Sequence, residues 1–290
     1  MMVQPGVYPA CTTPFDDQGR IDMVGIAKLL AFFEASGCRG AVLAGTNGEG
    51  PSLSAVEKRD LLREAMPLRG KLDLILGIAT PSIHEAKWLT QQAGKIGAAA
   101  VLVMAPSYFR RASEEGIEAW FTALLDDAHL PVIIYQHPPL TGITITTETI
   151  RRLAKHPRFG GLKDSSGDAG NLSLYREAAP DHPLFVGDER LLWQALEGGW
   201  AGTISACANV IPQWLSRVAL ERDEVKFELI RPVIEHLRSI PQPEANKAIQ
   251  HALGLINSPE PRLPLLAYEC VEQLSLLDKV LGINPGNLGI

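Results

Sequence analysis

The 290 residues would make one large domain or two of roughly 150 residues, and single α/β barrels also reach this size. With 46% apolar and 21% charged residues the chain can bury a large core, which excludes intrinsic disorder and low-complexity scaffolds. A net charge of -6 offers no basic footprint for a nucleic-acid backbone, so no polyanion partner is expected.

The first ten residues, MMVQPGVYPA, lack a basic segment and a long apolar run, and so do not read as a secretory signal. No stretch approaches the roughly 18 unbroken apolar residues of a membrane helix, and cytoplasmic residence without membrane contact is the expectation. Short, nearly continuous apolar runs follow at 7–12, 40–45, 72–79, 99–105, 131–135, 159–163, 183–187 and 202–206. Runs of this kind suit strands buried on both faces of a parallel sheet. Between them lie segments of helical periodicity. One starts at Ser54 with Glu57 three residues on, the pattern of a capping box, and another at Ser113. Beyond residue 222 the strands stop, and three helical stretches follow, punctuated by Pro232, Pro241, Pro243, Pro259, Pro261 and Pro264.

Eight strands alternating with helices is the count that closes a (β/α)8 TIM barrel. An open doubly wound sheet would be expected to carry a Gly-rich fingerprint after its first strand, and residues 7–20 have none. The predicted organisation is a barrel over 1–222 and a C-terminal helical extension over 223–290 packed on it. Cys11, Cys38, Cys207 and Cys270 form no C-x-x-C and have no histidine at ligand spacing, so they read as reduced thiols and no metal is expected.

Catalytic groups of such barrels sit at the C-terminal strand ends. The second strand ends in Gly45-Thr46-Asn47-Gly48-Glu49-Gly50, which is a tight turn or a loop whose hydroxyl, amide and backbone N–H donors hold a small carboxylate. The fifth ends at Tyr135 and the sixth at Lys163. A lysine closing a buried strand must snorkel to water, pair with Asp164 or Asp168, or lose its proton and become a nucleophilic amine. Strands five and six are neighbours about 4.8 Å apart, so Tyr135 and Lys163 should share one mouth, where a phenol can pass protons for an amine forming a carbinolamine.

Several motifs in order carry a resemblance along nearly the whole chain, from Thr13-Pro14-Phe15 to Arg262-Leu263-Pro264-Leu265. They are Gly45-Thr46-Asn47-Gly48-Glu49, Tyr135-Gln136-His137-Pro138 with Thr141-Gly142, Gly161-Leu162-Lys163-Asp164, and Gly202-Thr203-Ile204-Ser205 with Ala208-Asn209-Val210. The sequence resembles the dihydrodipicolinate synthase and N-acetylneuraminate lyase family of class I, Schiff-base aldolases and lyases. The resemblance implies that Lys163 forms an imine with pyruvate or another 2-oxo acid, that Tyr135 is the general acid/base, and that Thr46 and the amides of Asn47 and Gly48 bind the carboxylate. It also implies that Thr46 relays protons, that Tyr108 is lent across a dimer interface, that Gly187 and Ile204 line the pocket, and that no metal or organic cofactor takes part. The assembly it implies is a homotetramer, a dimer of dimers.

The sequence also departs from the pattern. Dihydrodipicolinate synthases carry an arginine two residues before the glycine of the tyrosine motif, gripping the distal carboxylate of the aldehyde, and here Leu140 holds that place. Leucine cannot make a guanidinium's charge-assisted bonds. Asn47 replaces a second hydroxyl, and His137 is unusual in its motif, reading as a solvated loop residue or a contact for a polar substrate. These departures rank a hydroxyoxoglutarate-type or sugar-acid aldolase, acting on a 2-oxo acid and an aldehyde, ahead of dihydrodipicolinate synthase. A catalytically silent 2-oxo acid-binding paralogue comes third.

Overall fold

The structure is a computed structural model and describes residues 2–288. It alternates strand and helix in the order β1 (Gly6–Pro9), α1 (Met23–Ala35), β2 (Gly40–Leu43), α2 (Ala55–Ala65), β3 (Asp73–Ile78), α3 (Ile83–Ile96), β4 (Ala100–Met104) and α4 (Glu114–Asp127). There follow β5 (Val132–Gln136), the single turn α5 (Pro138–Thr141), α6 (Thr147–Leu153), β6 (Phe159–Asp164), α7 (Asn171–Ala178), β7 (Leu184–Val186), α8 (Leu192–Glu197), β8 (Gly202–Ser205) and α9 (Pro212–Glu221). The tail adds α10 (Glu224–Ser239), α11 (Glu244–Ala252) and α12 (Val271–Leu281).

All eight strands pair in parallel, in the order β1-β8-β7-β6-β5-β4-β3-β2. The ring closes where Ala10 bridges Val42 and the Cys11 N–H donates to the Val42 carbonyl at 2.9 Å. Each of the eight apolar runs overlaps one strand, with no strand reaching more than one residue outside its run, so the (β/α)8 barrel is the observed fold. Both signalled helix starts are present. Ser54 Oγ accepts from the Glu57 N–H while Glu57 accepts from the Ser54 N–H, and Ser113 accepts from the Gly116 N–H. Among the described residues no helix is long and apolar enough to cross a membrane.

The strands alternate between two apolar layers, because successive side chains point to opposite faces. Val101, Val103, Val132, Ile134, Leu162, Leu184 and Val186 join the layer beneath the helices. Tyr8, Val42, Ile75, Leu102, Ile133, Phe185 and Ile204 fill the barrel interior. The alternation alone does not aim Lys163 inward. Val132 pairs with Phe159, yet the next residue, Ile133, pairs with Gly161, so β6 carries one extra residue in a bulge. From there Tyr135 is opposite Lys163, whereas the unshifted register would bring Leu162 opposite it. Gly161 adopts φ +131°, and a Cβ there would lie 2.1 Å from the Pro183 carbonyl oxygen, so only glycine fits the bulge.

Pro232 lies inside α10, the first of the tail's three helical stretches. The ring removes one N–H, and the Glu228 carbonyl forgoes its helical donor. Helix α11 seats polar side chains in the barrel mouth. Asn246, Lys247 and Gln250 are all fully buried. Lys247 Nζ meets Glu49 Oε1 at 2.8 Å, donates to the Glu260 carbonyl at 2.7 Å and lies 4.3 Å from the Phe15 ring centroid. Gln250 accepts from Thr12 Oγ1 at 2.6 Å and donates to the Asn209 carbonyl at 3.0 Å.

Taking one partner from a buried ion pair leaves the other charge uncompensated. Lys247→Met is therefore expected to destabilise the protein by about 3–5 kcal/mol in urea unfolding, with part of the loss recovered when Glu49→Leu is added. A loss below about 1 kcal/mol would show that the pair does not seat the tail.

Candidate active site

The bulge brings the two principal candidates together at the C-terminal end of the barrel. Lys163 Nζ lies 4.2 Å from the centroid of the Tyr135 ring, and both side chains are 5% exposed. Among the described residues Lys163 makes no hydrogen bond and no ion pair. The acids offered by the sequence as its partners hold the loop that follows them instead. Asp164 accepts from Ser166 N–H at 2.9 Å, Ser166 Oγ at 2.8 Å and Asn171 Nδ2 at 3.3 Å, and Asp168 accepts from Gly170 N–H at 2.8 Å. Burial pushes the Asp164 carboxyl above its ordinary range, against these bonds.

Tyr135 and Lys163 open into a cavity of about 210 Å³, large enough for a small-molecule adduct. Thr46 and Asn47 form one wall. Their loop is bracketed by Ala44 and Glu49, non-glycine residues at φ 54° and 52°. Such a backbone persists when surrounding bonds over-determine it. Glu49 is held by Lys247 and by the Arg262 N–H at 2.7 Å, the Gly48 carbonyl accepts from Thr13 Oγ1 at 2.7 Å, and Asn47 Oδ1 accepts from Asn246 Nδ2 at 2.9 Å. The backbone N–H groups of Asn47 and Gly48 donate to nothing among the described residues. Two free amides in one turn make a receptor for a carboxylate.

Gly187 and Ser165 also line the cavity. A Cβ on Gly187 would lie 1.8 Å from Ser165 Oγ and 2.8 Å from Lys163 Cε, so the glycine leaves room for the lysine to reach its place. Ile204 lies in the apolar layer with Tyr135 and Phe185, below the cavity rather than in its wall. Tyr108 is not brought to the cavity within one chain. It is 81% exposed and stands edge-on to Phe109, with ring centroids 5.4 Å apart.

His137 corrects its reading as a solvated loop residue. It lines the cavity 5.6 Å from the Tyr135 ring, and its Nδ1 is buried without a partner. Burial, then the charges of Lys163 and Arg238, pushes its pKa down to about 4, so the imidazole is neutral at pH 7. Leu140 stands half-exposed on the rim. Arg238, from the last turn of α10, also lines the cavity, and the sequence held no signal for it. No motif surrounds it, and only the packing of the tail carries it to the mouth. Among the described residues no three His, Cys, Asp or Glu side chains gather as a metal-binding group.

A phenol, an unpaired amine and two free amides around one small cavity can bind a carboxylate and condense the amine with an adjacent carbonyl. The half-buried histidine has a separate consequence. Between pH 6.5 and about 4 the unfolded chain takes up a proton that the folded His137 refuses, so stability falls as pH falls through that window. His137→Gln is expected to reduce the loss between pH 7 and pH 4 by roughly 2 kcal/mol, allowing for the partial exposure of the ring. Urea unfolding at the two pH values checks this, and an unchanged difference would sink it.

Comparison with known proteins agrees with this geometry. Residues 4–281 match the sequence model of the Dihydrodipicolinate synthetase family. The chain is 31% identical over 289 residues to a 4-hydroxy-tetrahydrodipicolinate synthase of Wolbachia pipientis wMel, covering 98% of this chain and 96% of the relative. It is 38% identical over 218 residues to an uncharacterized DapA-like lyase of Chloroflexus aurantiacus, covering 73% of each. Among solved structures, a monomeric dihydrodipicolinate synthase variant superposes with a TM-score of 0.87 at 27% identity, covering 96% of both chains. Motif order, barrel, strand-end geometry and these matches agree: the chain belongs to the dihydrodipicolinate synthetase family and is a carbon–carbon lyase or aldolase of the Schiff-base class.

Proposed function

We propose that Lys163 attacks the C2 carbonyl of pyruvate, losing water to form an imine, while the amides of Asn47 and Gly48 with the Thr46 hydroxyl hold the carboxylate. Tyr135 passes the protons of carbinolamine formation and breakdown. The protonated imine draws electrons from C3, so loss of a C3 proton gives an enamine whose C3 attacks an aldehyde carbon, and the reverse sequence cleaves that bond. The observation that carries this reading is the Tyr135–Lys163 pair, 4.2 Å apart with the amine otherwise unpaired.

For the aldehyde, the relatives change the order set by the sequence. The names of the similar proteins favour 4-hydroxy-tetrahydrodipicolinate synthase, which condenses pyruvate with aspartate semialdehyde, over a hydroxyoxoglutarate or sugar-acid aldolase. Leu140 remains the residue that supports the aldolase. The unpaired Lys163 weighs against a silent paralogue. We propose further that the chain assembles as a dimer of dimers, a reading supported by the exposed Tyr108–Phe109 pair.

Borohydride added with pyruvate should increase the mass of the peptide containing Lys163 by pyruvic acid less one oxygen atom, and Lys163→Ala should abolish the adduct. Absence of the adduct in the unaltered protein would falsify the mechanism. Turnover of pyruvate and aspartate semialdehyde with kcat/KM above about 10⁴ M⁻¹s⁻¹ supports the synthase, whereas faster cleavage of a hydroxyoxoglutarate or sugar acid supports the aldolase. Light scattering should give four times the chain mass, and the mass of a single chain would overturn the assembly.

A further inference from the structure

Arg238 is the one charged side chain besides Lys163 among the residues lining the cavity, and no carboxylate lines it. Its guanidinium makes no hydrogen bond among the described residues, and its Nε is buried without a partner. The two nearest acids stand beyond hydrogen-bond length, with Nη2 3.6 Å from Asp188 Oδ2 and Nη1 3.7 Å from Glu189 Oε2.

Both acids already have closer partners. Asp188 accepts from Arg190 Nε at 3.0 Å and Nη2 at 2.6 Å, and Glu189 Oε1 accepts from Ser205 Oγ at 2.6 Å and the Cys207 N–H at 3.0 Å. They orient Arg238 through their field and leave its donors unspent. A guanidinium presents these donors as a fork that matches a carboxylate. At pH 7 the neutral His137 does not compete with it for an anion, and Leu140 on the rim offers no polar group.

We propose that Arg238 binds a carboxylate at the far end of the carbonyl partner, so that the second substrate is an acid-bearing aldehyde. The cavity then grips its adduct at both ends, with the loop amides on the 2-oxo acid carboxylate and Arg238 on the distal one. The cation absent at position 140 is supplied from the tail, about a hundred residues downstream of the fifth strand. This rests on the imine-forming role of Lys163, and it selects among that role's possible partners.

The test uses 2-oxo acids that need no aldehyde. Borohydride trapping on Lys163 is titrated with 2-oxoglutarate and 2-oxoadipate, and with 5-methyl-2-oxohexanoate, in which an isopropyl group replaces the distal carboxylate of 2-oxoglutarate. Pyruvate, with no distal group, reports general damage to the site. The unaltered protein should half-saturate with at least one dicarboxylate at about 10- to 100-fold lower concentration than with the neutral analogue. Arg238→Ala and Arg238→Gln should remove most of that preference, and Arg238→Lys should retain part of it.

Three results would overturn the proposal while leaving the imine chemistry standing. They are no dicarboxylate preference in the unaltered protein, a preference that survives both Arg238→Ala and Arg238→Gln, or an equal loss for pyruvate and dicarboxylates. The last would make Arg238 a support for Asp188 and Glu189 only. If the unaltered protein traps no 2-oxo acid at all, the underlying reading falls and this proposal falls with it.

Discussion

The site depends on a single extra residue in β6. Parallel strands in register present the same face at paired positions, so the bulge between Phe159 and Gly161 decides which side of the barrel wall receives Lys163. Without it the alternation from Phe159 would turn Leu162 inward and send Lys163 outward beneath the helices. A lysine there would have to find water or an acid at the helix layer. With it, the amine enters the interior beside the Tyr135 ring. Gly161 permits this because the Pro183 carbonyl occupies the space where any larger residue would place its Cβ. The glycine of the Gly-x-Lys motif therefore does for register what the lysine does for chemistry.

A second constraint works from the other end of the chain. Lys247 and Glu49 are both fully buried, and two charges removed from water persist only with close partners and further bonds. Burial pulls the Lys247 ammonium down in pKa and Glu49 pulls it up, with the burial effect the larger. The pair ties α11 to the loop bearing Thr46 and Asn47, and Asn246 ties the same helix to the Asn47 side chain. The carboxylate-receiving wall is thus braced by the tail. The helix before it, α10, carries Arg238 to the same cavity.

Much of this was legible in the sequence. Local patterns marked the strands, because a strand buried on both faces needs continuous apolar residues and its neighbours in sequence show them. The helix starts at Ser54 and Ser113 were readable for the same reason, since a cap acts within three residues. Tyr135 and Lys163 stood out as polar residues ending such strands. The sequence left His137 open between a solvated loop residue and a substrate contact because its neighbours, prolines and a threonine, have loop composition, while its place on the cavity comes from distant residues.

The sequence by itself determined the eight-strand count, the two residues most suited to imine chemistry and the loop suited to a carboxylate, since each depends on contacts within a few residues. Tertiary structure alone decided the bulge that aims Lys163, the place of His137 on the cavity and the insertion of the tail's polar residues into the barrel mouth. It also decided the place of Arg238. Glu49 and Lys247 are 198 positions apart, and the pairing of Arg238 with the cavity likewise joins an element with no strand pattern to one that has it. Such contacts form where burial and charge compensation require them, and no local periodicity records the requirement.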